Sequence, residues 1–128
     1  MIPADLAARA LALGVHPPFD RLSAAELLLV ARYFRRRVHA PGEIVLPAGQ
    51  VAERLMVVMD GTALVADGPA SSVFDAASTL FGLPIRADYR AGPDGAEILS
   101  LARPHLFTLA RECPDFIVGF LSFEAGSA

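Results

Sequence analysis

Between residues 41 and 95 the chain is broken at short intervals by glycine and proline: Pro41-Gly42, Ala48-Gly49, Asp60-Gly61, Asp67-Gly68-Pro69, Phe81-Gly82 and Gly92-Pro93-Asp94-Gly95. Few helices of ordinary length fit between such breaks, because glycine weakens a helix interior and proline removes a donor and clashes with the preceding turn. The runs left between them, 44–46, 55–59, 63–66, 72–74, 87–91 and 96–101, are short and largely apolar. Many short strands joined by glycine turns predict a small antiparallel barrel or roll over residues 39–101.

On either side the pattern changes to helix. Residues 1–38 hold an Ala/Leu-rich run over 5–13 with Gly14 as its stop, followed by the break His16-Pro17-Pro18. Ser23-Ala24-Ala25-Glu26 then reads as a capping box, with Leu27, Val30, Ala31 and Phe34 at helical spacing behind it. Arg35, Arg36 and Arg37 are expected to end that second helix, where positive charge opposes the negative end of the dipole; a solvated helix terminus is favoured over a phosphate-binding patch. In residues 103–123, Pro104 suits a first helical turn, and Leu106, Phe107, Leu109 and Ala110 supply an apolar face. After Pro114 a second short helix carries Phe116, Ile117, Val118, Phe120, Leu121 and Phe123 around most of its circumference, so it needs cover. The expected class is mainly β with flanking helices (α+β): a jelly-roll-like β-roll, or double-stranded β-helix, with N-terminal helices and two C-terminal helices, in one domain over 1–128.

Composition narrows the function. The 128 residues suit one domain, and 54% apolar against 20% charged residues is too much hydrocarbon for a disordered chain. All 11 basic residues are Arg, yet 14 acids leave a net charge of −3, which argues against a nucleic-acid partner. Apolar runs stop at about five residues, against roughly 18 needed to span a bilayer. Without a basic leader, and with Cys113 as its single cysteine, the chain is expected in the cytoplasm, Cys113 serving as a small buried hydrophobe. His16, His39 and His105 fall in different zones and form no metal-binding spacing; His39 is expected to be partly exposed. No Gly-x-Ser-x-Gly elbow or Cys–His spacing points to an enzyme.

The order of these elements resembles the cyclic nucleotide-binding domain of catabolite-activator-type regulators and kinase regulatory subunits. The resemblance rests on Pro18-Phe19-Asp20-Arg21-Leu22-Ser23, Ala40-Pro41-Gly42-Glu43-Ile44-Val45, Gly49, Leu55-Met56-Val57-Val58-Met59-Asp60-Gly61, Phe81-Gly82, Tyr89-Arg90-Ala91, and Arg103 to Phe107 with Cys113-Pro114-Asp115. It covers residues 15–123. The His16-Pro17-Pro18-Phe19 and Pro114-Asp115-Phe116 stretches are most similar to the bacterial version found ahead of CBS pairs and nucleotidyltransferase-like domains.

The resemblance implies a cyclic phosphate held in a cassette after Phe-Gly-Glu. Helix-start amides would cradle it, a Glu would bind the ribose, and an Arg would pair with the phosphate. The corresponding residues are Phe81, Gly82, Leu83, Arg86 and Ala87. Leu83 stands where the Glu belongs and cannot accept a hydrogen bond. Ser78-Thr79 replaces the preceding Gly-Asp, and Arg86 follows Gly82 by four residues instead of the nine or ten of the family, about one to two helical turns too few. Arg86 is the best surviving anion contact, but the favoured reading is a surface residue paired with Asp88 or solvent; Arg90 is an ordinary strand residue. The expected function is a regulatory domain whose nucleotide binding has degenerated and which acts through dimerisation or a partner signalling protein. The alternative is a cyclic AMP, cyclic GMP or small-anion sensor acting on a separate partner. At this length no fused output domain is expected.

Overall fold

The computed structural model describes residues 3–16, 19–66, 68–70, 73–74, 76–114 and 118. The expectations at Pro17, Pro18, Asp67 and Ser72, and the helix expected over residues 116–123 with Phe116, Phe120 and Phe123, lie outside them apart from Val118. The chain forms two compact units, one of residues 1–34 with 104–128 and one of residues 35–103.

In the first unit, α1 (Ala4–Leu13) ends at Gly14 as the sequence predicts, burying Ala10 and Leu13. The capping box also forms, opening α2 (Ala24–Ala31): the Ser23 hydroxyl accepts from the Glu26 amide and the Glu26 carboxylate accepts from the Ser23 amide. The end of α2 departs from expectation. The helix stops at Ala31, and Arg35, Arg36 and Arg37 lie in a strand, β1 (Phe34–His39). Positive charge is instead brought to this helix end from a distance. Arg9, paired with Asp5, donates to the carbonyls of Ala31 and Phe34, each at 3.1 Å, so a cation from α1 meets the carbonyls the helix leaves open. Phe34 turns inward to meet Phe19 edge to face at 5.7 Å, which fixes where the helix gives way. The helix α4 (Arg103–Glu112) buries Leu106 and Leu109 as expected, with Cys113 buried behind it; Phe107, assigned to the same apolar face, is 44% exposed.

The second unit is an antiparallel sheet in which β1 pairs with β6 (Tyr89–Ala102), β6 with β3 (Arg54–Val65), and β3 with β4 (Gly68–Pro69); β2 (Ile44–Leu46) joins β6 and β5 (Val73–Phe74) joins β3. A helix, α3 (Ala76–Phe81), follows β5. Two predicted hairpin turns are absent. Asp60-Gly61 and Gly92 to Gly95 lie inside the continuous strands β3 and β6, which pair from Arg54↔Ala102 to Val65↔Tyr89 with irregularities near Gly61. The two long strands bend together. Gly61 and Gly95 both have positive φ, 76° and 77°, and a Cβ on Gly61 would lie 2.3 Å from the Gly95 carbonyl oxygen. The glycines thus mark a paired bulge that curls the sheet into a roll. The inner face of the roll carries Leu46, Ala52, Val58, Ala63, Phe74, Ile85, Ala91, Ala96 and Ile98 as one apolar cluster.

Candidate functional site

The site implied by the sequence begins at α3. Ser78 and Thr79 are fully buried there. The Ser78 hydroxyl accepts from the Ala52 amide at 2.8 Å and donates to the Leu83 carbonyl, while Thr79 donates to the Arg54 carbonyl. These two side chains therefore tie α3 to the segments on either side of it and to β3. The Gly82 amide donates to Ser78, closing the helix, and the following backbone is stitched to the turn at 48–51. Ile85 donates to Gln50 and accepts from Gly49, Pro84 bridges Val51, and the Asp88 carboxylate accepts from the Ala48 amide at 2.7 Å. No helix follows Gly82 before β6. The Gly82 and Ile85 amides are thus consumed by the protein itself, unlike the open helix start that cradles an anion.

The five residues do not converge. Phe81 and Leu83 are 59% and 52% exposed, Arg86 is exposed, and Ala87 is half-buried. Arg86 makes no ion pair among the described residues, and Asp88, its expected partner, pairs with Arg90 at 3.7 Å. Arg90 also donates to the Gly42 carbonyl. The residue that enters the roll is Ile85, 2% exposed, packed in the apolar cluster with Phe74, whose ring stacks on Tyr89 at 4.6 Å. Ala87, Asp88 and Arg90 instead line an open cleft of about 530 Å³ with Gly42 and Leu64. Leu64 and Arg90 are partners in the sheet, one residue out of phase with the core pair Ala63 and Ala91, so the cleft opens on the outer face.

A second group contains the arginines that the sequence placed at a solvated helix end in preference to a phosphate-binding patch; the structure puts them in β1. Arg35, Arg36, Arg37 and His39 of β1, with Arg54 of β3 and Ser100 of β6, line a pocket of about 310 Å³ floored by Val45, Met56 and Ile98. His39, expected to be partly exposed, is buried, its ring bonded to the Glu43 carboxylate. That bond, more than the nearby positive charge of Arg37, holds Glu43 below the usual carboxylate range. Burial first, and then the charge of Arg35, push the Arg54 guanidinium down from its ordinary value. The signal available in the sequence was the alternation Arg35, Arg37, His39, which places all three on one side of a strand. Among the described residues no His, Cys, Asp or Glu grouping suits a metal ion, and no helix is long and apolar enough to cross a membrane.

No protein-family model and no curated protein matches the sequence. Solved structures do match. The catabolite activator protein of Thermus thermophilus superposes with a TM-score of 0.78 at 22% identity, over 88% of this chain and 58% of that one. The regulatory domain of Toxoplasma gondii PKA, crystallised with cAMP, gives 0.78 at 18% identity over 96% and 50% of the respective chains. The chain has their jelly-roll fold. The N-terminal domain of a transcriptional regulator from Streptomyces coelicolor A3(2) shares it as well, with a TM-score of 0.73 at 19% identity over 91% of this chain and 89% of that one. This chain spans about half to three-fifths of the first two proteins, so the fold is held in common with only part of each.

Proposed function

We propose that this chain is a regulatory domain of the cyclic nucleotide-binding superfamily whose roll no longer holds a cyclic nucleotide and which acts by contact with a protein partner or a second copy of itself. The observation that carries the reading is Ile85 buried in the roll, with Phe74 and Tyr89 stacked beside it, while Leu83 and Arg86 face outward. A sugar phosphate entering there would have to displace packed side chains and would meet no cradle at Gly82 or Ile85, whose amides are already bonded. Regulation, not catalysis, is the role that the match to the regulatory domain of Toxoplasma gondii PKA favours.

Support for the contact role comes from the first unit. Leu11 and Val15 are 75% and 74% exposed, and Leu11 lines an apolar groove of about 250 Å³ with Ala7, Ala10, Ala24, Leu27 and Leu28. Such a concentration of exposed hydrocarbon suits a protein surface better than water. Calorimetric titration with cyclic AMP and cyclic GMP tests the first half of the reading: no saturable heat at millimolar nucleotide is expected, and a one-to-one isotherm overturns it. Light scattering tests the self-association form of the second half. A concentration-dependent dimer lost in Leu11→Glu is expected, and a strict monomer leaves a separate partner as the remaining mode of action.

A further inference from the structure

We propose that the pocket framed by Arg35, Arg37 and Arg54 binds a small organic phosphate, the phosphoryl group on the guanidiniums and the carbon part on Val45, Met56 and Ile98. Strand geometry assembles it. Arg35, Arg37 and His39 alternate onto one side of β1, and β1 is the neighbour of β6. On β6, Ile98 and Ser100 pair with Val58 and Met56 of β3, so all four share the side that carries Arg54. With Val45 of β2, four strands therefore contribute to one concavity, on rigid elements instead of a loop.

Two features mark it as more than a solvated basic surface. Arg54 is oriented: its Nε donates to the Ser100 hydroxyl at 2.7 Å and its Nη2 to the Ser100 carbonyl at 3.1 Å, leaving Nη1 without a partner among the described residues. Arg35 has no carboxylate partner among them either, and both guanidiniums line the same pocket; burial first, and the charge of Arg35 second, lower the pKa of Arg54. A chain of net charge −3 thus leaves like charges facing one another in a partly desolvated place, an arrangement an anion would relieve.

Charge and shape specify the ligand class. Four guanidiniums, Arg35, Arg36, Arg37 and Arg54, stand against two carboxylates: Glu97, bonded to Arg36 at 2.7 Å, and Glu43, 3.9 Å from Arg37. Two positive charges remain, matching the dianion of a phosphate monoester. The pocket, about 310 Å³, lies at the small end of ligand cavities and has an apolar floor, which suits a compact organic body attached to the phosphate. Guanidinium forks suit phosphate oxygens in geometry as well as charge.

The test is calorimetric titration of the whole chain with phenyl phosphate and with inorganic phosphate, at constant ionic strength so that screening is not read as binding. One saturable site is expected, tighter for phenyl phosphate. Arg35→Gln and Arg54→Gln are each expected to weaken it at least about tenfold, or about 1.4 kcal/mol. Arg35→Gln strands no partner, so its fold survives even where Arg54→Gln is destabilised. Arg111→Gln, with the same charge change in the other unit, is expected to leave affinity unchanged. The proposal is overturned by absence of saturable binding, by equal weakening in Arg111→Gln, or by loss in Arg86→Gln with retention in Arg35→Gln. Equal affinity for the two probes overturns the role given to the apolar floor. The pocket floor borders the apolar cluster of the roll, but the probes are not cyclic nucleotides, so failure here and failure of the proposal that the roll holds no cyclic nucleotide are read by separate titrations.

Discussion

The segment of residues 82–91, a loop running into β6, and the strand β1 both carry arginine, and the roll treats the two differently. In that segment, Arg86 faces solvent while Arg90 is occupied by Asp88 and a carbonyl; the residue turned inward is Ile85. In β1, strand alternation sends Arg35 and Arg37 to one side, where Arg54 meets them across the sheet. Similar residues give a closed apolar plug in one place and an open cationic pocket in the other. Clustering in sequence does not decide which; the pairing partner of each segment does.

The comparison can be broken most forcefully at the plug. Ile85→Ala is expected to destabilise the fold by about 2–5 kcal/mol in denaturant unfolding, the range for deleting a fully packed aliphatic side chain. A change below about 0.5 kcal/mol would mean the loop is not part of the core. Next is the bend that shapes both regions. Gly61→Ala is expected to cost roughly 1–3 kcal/mol from its positive φ alone, with more from overlap with the Gly95 carbonyl, read as a lowered Tm. Ser78→Ala would leave the buried Ala52 amide without its acceptor and is expected to cost about 1–3 kcal/mol, with faster amide exchange at Ala52.

Smaller effects sharpen the cationic side. Glu43 has its pKa lowered on folding, so its contribution to stability is present above the ordinary carboxylate value of about 4.3 and is lost as the pH falls through the lowered one. Denaturant midpoints measured from neutral to acid pH should fall in that window, and Glu43→Gln should flatten the fall. Arg86→Gln is expected to change stability by less than about 0.5 kcal/mol, as for an exposed side chain with no ion pair among the described residues.

Much of the fold was legible because its signals are local. The capping box at Ser23, the stop at Gly14 and the strand at Ile44–Leu46 each depend on neighbours in sequence. Where long-range pairing decides, local signals misled. Asp60-Gly61 has the composition of a hairpin turn, yet it lies at an irregularity of the β3–β6 pairing, with Ala96 opposite Gly61 and the Gly95 carbonyl close to it. Leu27, Val30, Ala31 and Phe34 keep helical spacing, yet Phe34 joins β1 because Phe19 receives its ring and Arg9 closes α2 at Ala31. That one boundary concealed the arginine pocket. At the loop, the apolar character of Leu83 was visible in sequence, whereas the choice between Ile85 and Arg86 for the interior was not, since it depends on the turn at 48–51 to which the loop is stitched.

The most direct test follows the backbone amides of the isotopically labelled chain by NMR during two titrations, one with cyclic AMP and one with phenyl phosphate. The account predicts saturable shifts at residues 35–39, 54 and 100 with phenyl phosphate, and none at residues 82–91 with cyclic AMP. Saturable shifts at 82–91 with cyclic AMP, and a silent β1 with phenyl phosphate, would contradict it.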